Sequence, residues 1–398
     1  MLVSISMQKQ APHPFALFNL GFRPFFLGGT VFAMVSMLVW LGLVNQLFSR
    51  AVAPVMLSQW HAHEMLYGYT LAIIAGFLLT AVKNWTGLPT WHGWQLAMLF
   101  GLWLVARVLH LMPTNLMQAA AVFDLLFNLS LLVAVLSPII RAKLWPQLAI
   151  VVKVFLLTIG NLLFYLQVFG VLAQGALYSQ TIALVLTLSM ILMIGRRVVP
   201  FFIERGVGYP VQLKQNRWVD ISIMLLFVAW LLSLLLGLEA FAAVSCGLIF
   251  MLNSARLAGW HTQGIWQKPL LWSLYVSLWC INIGLAFSAV QLFVAVPPSW
   301  ILHLFTIGGI GLITLAMMSR VSLGHTGRNI HQSPTLARWF FALVILSLIF
   351  RFFMPLFAPA HYLWWINFSG IFWVLAFALF VFAYAAMLIK PRPDGLDG

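Results

Sequence analysis

The chain has 398 residues, of which 63% are hydrophobic and 7% charged, with a formal net charge of +14. A soluble domain normally carries about 25% charged residues, so this composition is read as a polytopic membrane protein. In that class the distribution of Lys and Arg matters more than their sum, and the positive balance does not imply a nucleic-acid partner.

Two cysteines, Cys246 and Cys280, lie in apolar runs outside any CxxC or CxxCH pattern. A disulfide framework and c-type haem attachment are therefore not expected. Residues 1–24 lack a signal-peptide apolar core and cleavage site. They read as a cytoplasmic segment ending FNLGFRPFF, with Pro24 in a first helical turn and Arg23 as a basic interfacial anchor.

A hydrocarbon crossing needs roughly 20 apolar residues. Such runs fall near 25–47, 61–82, 93–111, 118–137, 146–170, 177–199, 217–238, 240–258, 269–292, 299–319, 335–355 and 362–389. The expected fold is all-α, a polytopic membrane bundle of about 12 helices forming one domain over 25–389, with a tail at 390–398. Helices rather than strands are expected because backbone groups in lipid must be satisfied within the segment. The break between the seventh and eighth runs rests on LGLEA alone. With the N-terminus inside, seventeen Lys and Arg residues fall on that face against Arg50, Arg107 and Arg351 on the other. Both termini are thus expected in the cytoplasm. Lys153, inside the fifth run, is expected to snorkel to the interface.

The second run opens QWHAHEMLYGY, with Ser58 expected as N-cap. On a regular helix His61 and Glu64 share one face and His63 and Tyr67 another, so His61 and His63 serve different sides. HExxY lacks the second histidine of a zinc-peptidase motif. The third run closes on Arg107 and His110, three apart. The fourth carries Asp124, a lone intramembrane carboxylate that is either functional or the counter-charge of Arg107 or His110. Asn161 and Tyr165 read as polar packing residues.

Residues 195–218 read as a solvated loop with a surface helix. Near the cytoplasmic face the GHTGR loop, with Arg256, Arg320 and Arg328, is suited to an anion such as a phosphate or a propionate. The tenth run repeats part of the second: W-x-x-H-x-x-x-x-G occurs at Trp60, His63 and Gly68 and again at Trp300, His303 and Gly308. Two helices of the same polarity thus present a histidine at equal depth, and the glycines beneath suit close packing around a flat cofactor.

The external half collects His61, His63, His110, His303 and His361. Imidazole suits haem iron, copper and zinc, so these five are the metal-ligand candidates. His63 and His303 are expected to share one metal or haem iron, with His61 and His110 supplying a second metal or distal interactions. Arg107, Arg351, His325 and Arg328 join His63 and His303 as cofactor-binding candidates, with Glu64 and Tyr67 as catalytic candidates and Glu64 orienting an imidazole. Two other readings stand beside this one. One is a proton-coupled transporter using His61, Glu64 and Asp124 as relays; the other is a non-catalytic structural or interaction protein.

FNLGFRPFF, WHAHEMLYGY with the following AIIAGFLLTAV and NWTG, and GHTGR together resemble the NnrS family. The shared motifs fall on Trp60, His61, His63, Glu64, Met65 and Gly68, and on Gly324, His325, Thr326, Gly327 and Arg328. The resemblance implies a bacterial inner-membrane protein holding haem b and copper and protecting against nitric oxide. If it is an enzyme, it is an oxidoreductase acting on nitric oxide. With no cytochrome c motif or iron–sulfur cysteines in the chain, a quinol or other external donor would supply electrons.

Overall fold

A computed structural model describes residues 15–48, 55–112 and 114–396. Lys9 and Arg50 of the charge count, Pro113, and most of the expected N-terminal segment lie outside them. Among the described residues every regular element is helical. Twelve helices are long and apolar enough to cross a membrane: α1 Phe22–Val44, α2 Leu57–Thr86, α3 Trp94–Leu111, α4 Met117–Arg141, α5 Trp145–Val168, α6 Gly175–Gly206, α7 Arg217–Leu235, α8 Glu239–Trp260, α9 Pro269–Val290, α10 Pro298–His325, α11 Ala337–Phe357 and α12 Pro359–Ile389. LGLEA does separate two helices, with Gly237 in the left-handed region at φ 69°. Twelve crossings would place both ends of the bundle on one face.

The two helices that share the W-x-x-H pattern are the two most buried, each 78% buried over its most apolar window. α2 packs against α1, α4 and α6, while α10 packs against α9, α11 and α12. Tyr69 joins the two centres, its hydroxyl 2.6 Å from Thr314 Oγ1. Thr314 spends its own proton on the carbonyls of Ile310 and Gly311, so Tyr69 is the donor.

Both central helices are interrupted in the same way. α2 is α-helical through His63, π-helical over Glu64–Thr70 and α-helical again to Thr86. α10 is α-helical through His303, π-helical over Leu304–Gly311 and then α-helical to His325. A third π segment, Ile349–Phe353, lies in α11 and contains Arg351. A π turn leaves carbonyls without their usual partner, and in lipid these need another donor. In α2 the Trp103 indole N–H donates to Gly68 O at 2.8 Å and the Thr70 hydroxyl to Met65 O at 2.8 Å.

Several local expectations change. α2 starts at Leu57, where the Gln59 side chain accepts from the Met56 N–H at 2.9 Å, and Ser58 is not the cap. α6 continues through Arg196, Arg197 and Arg205 to Gly206, so most of the expected loop is helix. Lys153 does not snorkel; its ammonium donates inward to Ser189 Oγ at 2.7 Å. Arg23 is fully buried, and its Nη1 donates to the carbonyls of Met387, Leu388 and Lys390. It caps the last turn of α12, whose unsatisfied carbonyls favour a cation.

Candidate functional site

The start of α2, the end of α3, the start of α4 and the end of α5 enclose a polar group with almost no exposure: His63, Glu64, Arg107, His110, Asp124, Asn161 and Tyr165. Glu64 Oε1 is its hub. It accepts from Arg107 Nη1 at 2.7 Å, and it lies 2.8 Å from His63 Nδ1 and 3.2 Å from His110 Nδ1. Arg107 Nη2 pairs with Asp124 Oδ1, so the counter-charge of the lone carboxylate is Arg107. Asp124 Oδ2 accepts from the Asn161 amide at 3.1 Å and the Tyr165 hydroxyl at 2.8 Å.

This geometry orders the protons. Because Asn161 turns its NH2 to Asp124, its Oδ1 faces His63 Nε2 at 2.8 Å, while Nδ1 faces the Glu64 carboxylate at 2.8 Å, so both ring nitrogens face acceptors and a neutral ring can donate to only one of them. The Tyr165 proton goes to Asp124, so His110 Nε2, 2.7 Å away, donates to the Tyr165 oxygen. With neutral imidazoles, the two carboxylates and one guanidinium leave a single negative charge in a buried space. One positive charge, a proton or a monovalent cation, restores neutrality, and burying an unbalanced charge is costly. One ligand atom each from His63, His110 and Asp124 lie within 4.8 Å of one another, a spacing that suits a metal ion. With a metal at His63 Nε2 in place of the Asn161 contact, Nδ1–H would donate to Glu64, the arrangement by which a carboxylate commonly fixes the tautomer of a ligating histidine.

Tyr67 lies beside this group, its ring 5.2 Å from His63 and its hydroxyl donating to the Ser179 carbonyl at 3.1 Å. Gly68 is where the glycine argument fails. A Cβ there would stand 2.5 Å from Phe32 and 3.1 Å from Arg107 Nη1, and one at Gly308 would stand 2.8 Å from the Cys280 Cβ. The room beneath both glycines is filled by the protein's own side chains.

A second group forms where α1, α2, α10 and α11 meet. The His61 ring stacks on Trp40 at 4.3 Å, and its buried Nδ1 has no partner. His303 Nδ1 donates to the Ser299 carbonyl at 2.5 Å, so its Nε2 carries the lone pair. Arg351 and His61 are near enough to His303 to act on it electrostatically. Arg351 lies over the Tyr362 ring at 5.3 Å and bonds its hydroxyl, yet its Nη1 is buried without a partner.

The expected pairing of His63 with His303, and of His61 with His110, is thus exchanged. His63 stacks near His110 at 5.0 Å and Phe164 at 3.9 Å, whereas His61 keeps company with His303. Residues two apart point to nearly opposite sides of a helix, so α2 serves both groups. Glu64 sits with His63 rather than with His61, because the π turn begins at that residue.

The remaining candidates lie elsewhere. His361 is exposed at the start of α12, its ring 6.2 Å from that of Trp365. His325 ends α10, about 33 Å along the axis from His303 at 1.5 Å per residue. It stands beside Phe22 at 5.7 Å, and Arg392 donates to its carbonyl at 3.3 Å. Arg328, just beyond, donates to the Thr326 carbonyl at 3.3 Å. Neither shares a site with His61, His63, His110 or His303. Sequence reasoning placed Asn161 and Tyr165 among packing residues. Their spacing of four on α5 matches that of Asp124 and Asn128 on α4, a signal that the two helices carry facing polar stripes.

In comparisons with known proteins, the family profile described as NnrS protein matches residues 16–392. No curated protein matches the chain.

Proposed function

Since the chain belongs to the NnrS family, we propose that it is a bacterial inner-membrane protein that binds copper and haem and acts on nitric oxide. The observation that carries this reading is the presence of two separate histidine groups, one buried and one half-buried, both served by α2. The donor sets fit two different occupants. His63, His110 and Asp124 would hold a copper ion, with Glu64 fixing the His63 ring and Arg107 balancing the carboxylates. A copper ion would supply the positive charge that a proton on His63 otherwise supplies, and imidazole ligands suit copper.

His61 and His303 would hold haem iron through the His303 Nε2 lone pair and the unpartnered His61, with Arg351 Nη1 free to meet a propionate. The bound metals would supply nitric oxide binding and one-electron chemistry. The chain's own part is to exclude water, fix imidazole tautomers and hold protons at His63, His110 and Tyr165. Nitric oxide is small and uncharged, so it reaches a buried site through lipid without a polar channel.

The test is metal and haem analysis of the detergent-purified protein, with optical spectra before and after nitric oxide. His110→Ala is expected to lose copper and keep haem, and His303→Ala the reverse. Unchanged contents in both variants overturn the assignment. A metal-free, spectrally silent wild type would favour proton-coupled transport through Glu64 and Asp124, which the structure joins through Arg107.

A further inference from the structure

Away from both histidine groups, a cavity of about 470 Å³ opens where the end of α6, the connection before α7 and the end of α8 meet. Arg196, Lys214, Asn216, Asp220, Arg256 and Trp260 line it. On α6 it lies about 25 Å along the axis from Ser179, the partner of Tyr67.

Its charges do not balance. Arg196 and Arg256 share one carboxylate, Arg196 Nη1 at 3.0 Å from Asp220 Oδ2 and Arg256 Nη1 at 3.1 Å from Oδ1. Lys214 is exposed and adds a third cation. Glu204 turns instead to the Leu213 N–H at 2.9 Å and does not line the space. Three cations thus face one carboxylate.

The site is also rigid. Arg256 is 9% exposed, held by Asn253 Oδ1 at 3.1 and 2.6 Å and lying over the Trp260 ring at 5.1 Å. Two buried donors in the lining have no partner: the indole N–H of Trp260, which is 1% exposed, and Nε of Arg196. Three cations around one carboxylate, beside open volume, together call for an anion with several acceptor oxygens. Trp218, 75% exposed on the first turn of α7, has the character of an interfacial residue and sets the mouth at headgroup depth.

We propose that this cavity binds a phosphate group, brought either by the headgroup of an anionic phospholipid or as free inorganic phosphate. Basic pockets between helices at a cytoplasmic edge recognise anionic headgroups by this chemistry. The site is independent of the copper and haem assignment.

The experiment uses the full chain in nanodiscs. Native mass spectrometry counts retained phosphatidylglycerol in mixed phosphatidylglycerol–phosphatidylcholine discs, and thermal unfolding in pure phosphatidylcholine discs is followed with added inorganic phosphate. Lys214→Gln removes an exposed side chain, and Arg196→Gln leaves Asp220 paired with Arg256. Each is expected to weaken retention about fivefold, as one lost charge near an anionic surface does. Retention of phosphatidylglycerol without a response to phosphate identifies the lipid as the source. A phosphate-dependent shift, lost in Lys214→Gln, identifies the free anion. Equal retention in wild type and Lys214→Gln, with no phosphate shift, overturns the proposal.

Discussion

Arg107 is the single cation between two fully buried carboxylates, Glu64 and Asp124. Replacing it by Gln keeps much of the volume and removes the charge. Breaking a buried pair by deleting one partner costs about 3–5 kcal/mol, because the other charge stays behind. Asp124→Asn leaves Arg107 paired with Glu64 and strands no charge; it takes the charged acceptor from Asn161 and Tyr165 and should cost less, about 1.5–3 kcal/mol. In the double variant neither charge is stranded by the other. Its cost should fall short of the sum by about 2 kcal/mol, within the range measured for residues in one network. Tyr165→Phe removes the donor to Asp124 and the acceptor of the His110 Nε2 proton and should cost about 1.2 kcal/mol, two contacts at the ~0.6 kcal/mol average for polar contacts between membrane helices. The assay is reversible denaturant unfolding in mixed micelles, read by intrinsic tryptophan fluorescence. Additivity of Arg107→Gln and Asp124→Asn within about 0.5 kcal/mol would refute the network.

Single contacts give three further expected outcomes. Gly68→Ala places a methyl 2.5 Å from Phe32 and 3.1 Å from Arg107 Nη1 and should destabilise by about 1–3 kcal/mol; the same unfolding assay checks it, and a neutral result would mean that α1 and α3 give way. Arg23→Gln strips the charged donor from the final carbonyls of α12 and should cost about 1.5–3 kcal/mol, with faster amide exchange confined to residues near 386–390 by mass spectrometry. The hydrogen bond from Arg392 holds the exposed Asp394 carboxyl at about 2, below its ordinary 3.8. The tail contact is therefore complete above pH 4 and lost as the pH falls through about 2, and carboxyl carbon NMR of the tail should titrate there; a midpoint near 3.8 would remove the ion pair.

The spans were legible because about 20 apolar residues leave few other readings, and even LGLEA was enough to separate α7 from α8. Polar patterning showed that QWHAHEMLYGY serves two sides of α2. It could not show which residue of another helix meets each side, since that depends on how helices are arranged around α2. The repeat at Trp300–Gly308 suggested that equal depth means a shared partner, and the structure gives His303 to His61 instead. Arg23 misled for a related reason: a basic residue beside phenylalanines reads as an anchor, while its carbonyl partners lie more than 360 residues further along the chain.

The repeat nevertheless marks something physical. In both central helices the histidine is the last α-helical residue and the glycine five positions on falls inside the π segment. A π turn adds a residue to the backbone ring and rotates the rest of the helix about its axis. It lets neighbouring residues such as His63 and Glu64 work on one side, as their 2.8 Å contact shows. Glycine within that wider turn admits a close neighbour, Arg107 at Gly68 and Cys280 at Gly308. His61 and His63 are separated by only about 3 Å of helical rise, so the two groups share one turn of α2. Any shift of that turn, whether from a ligand at His63 or a substitution at Glu64, would move His61 against Trp40 and His303 as well.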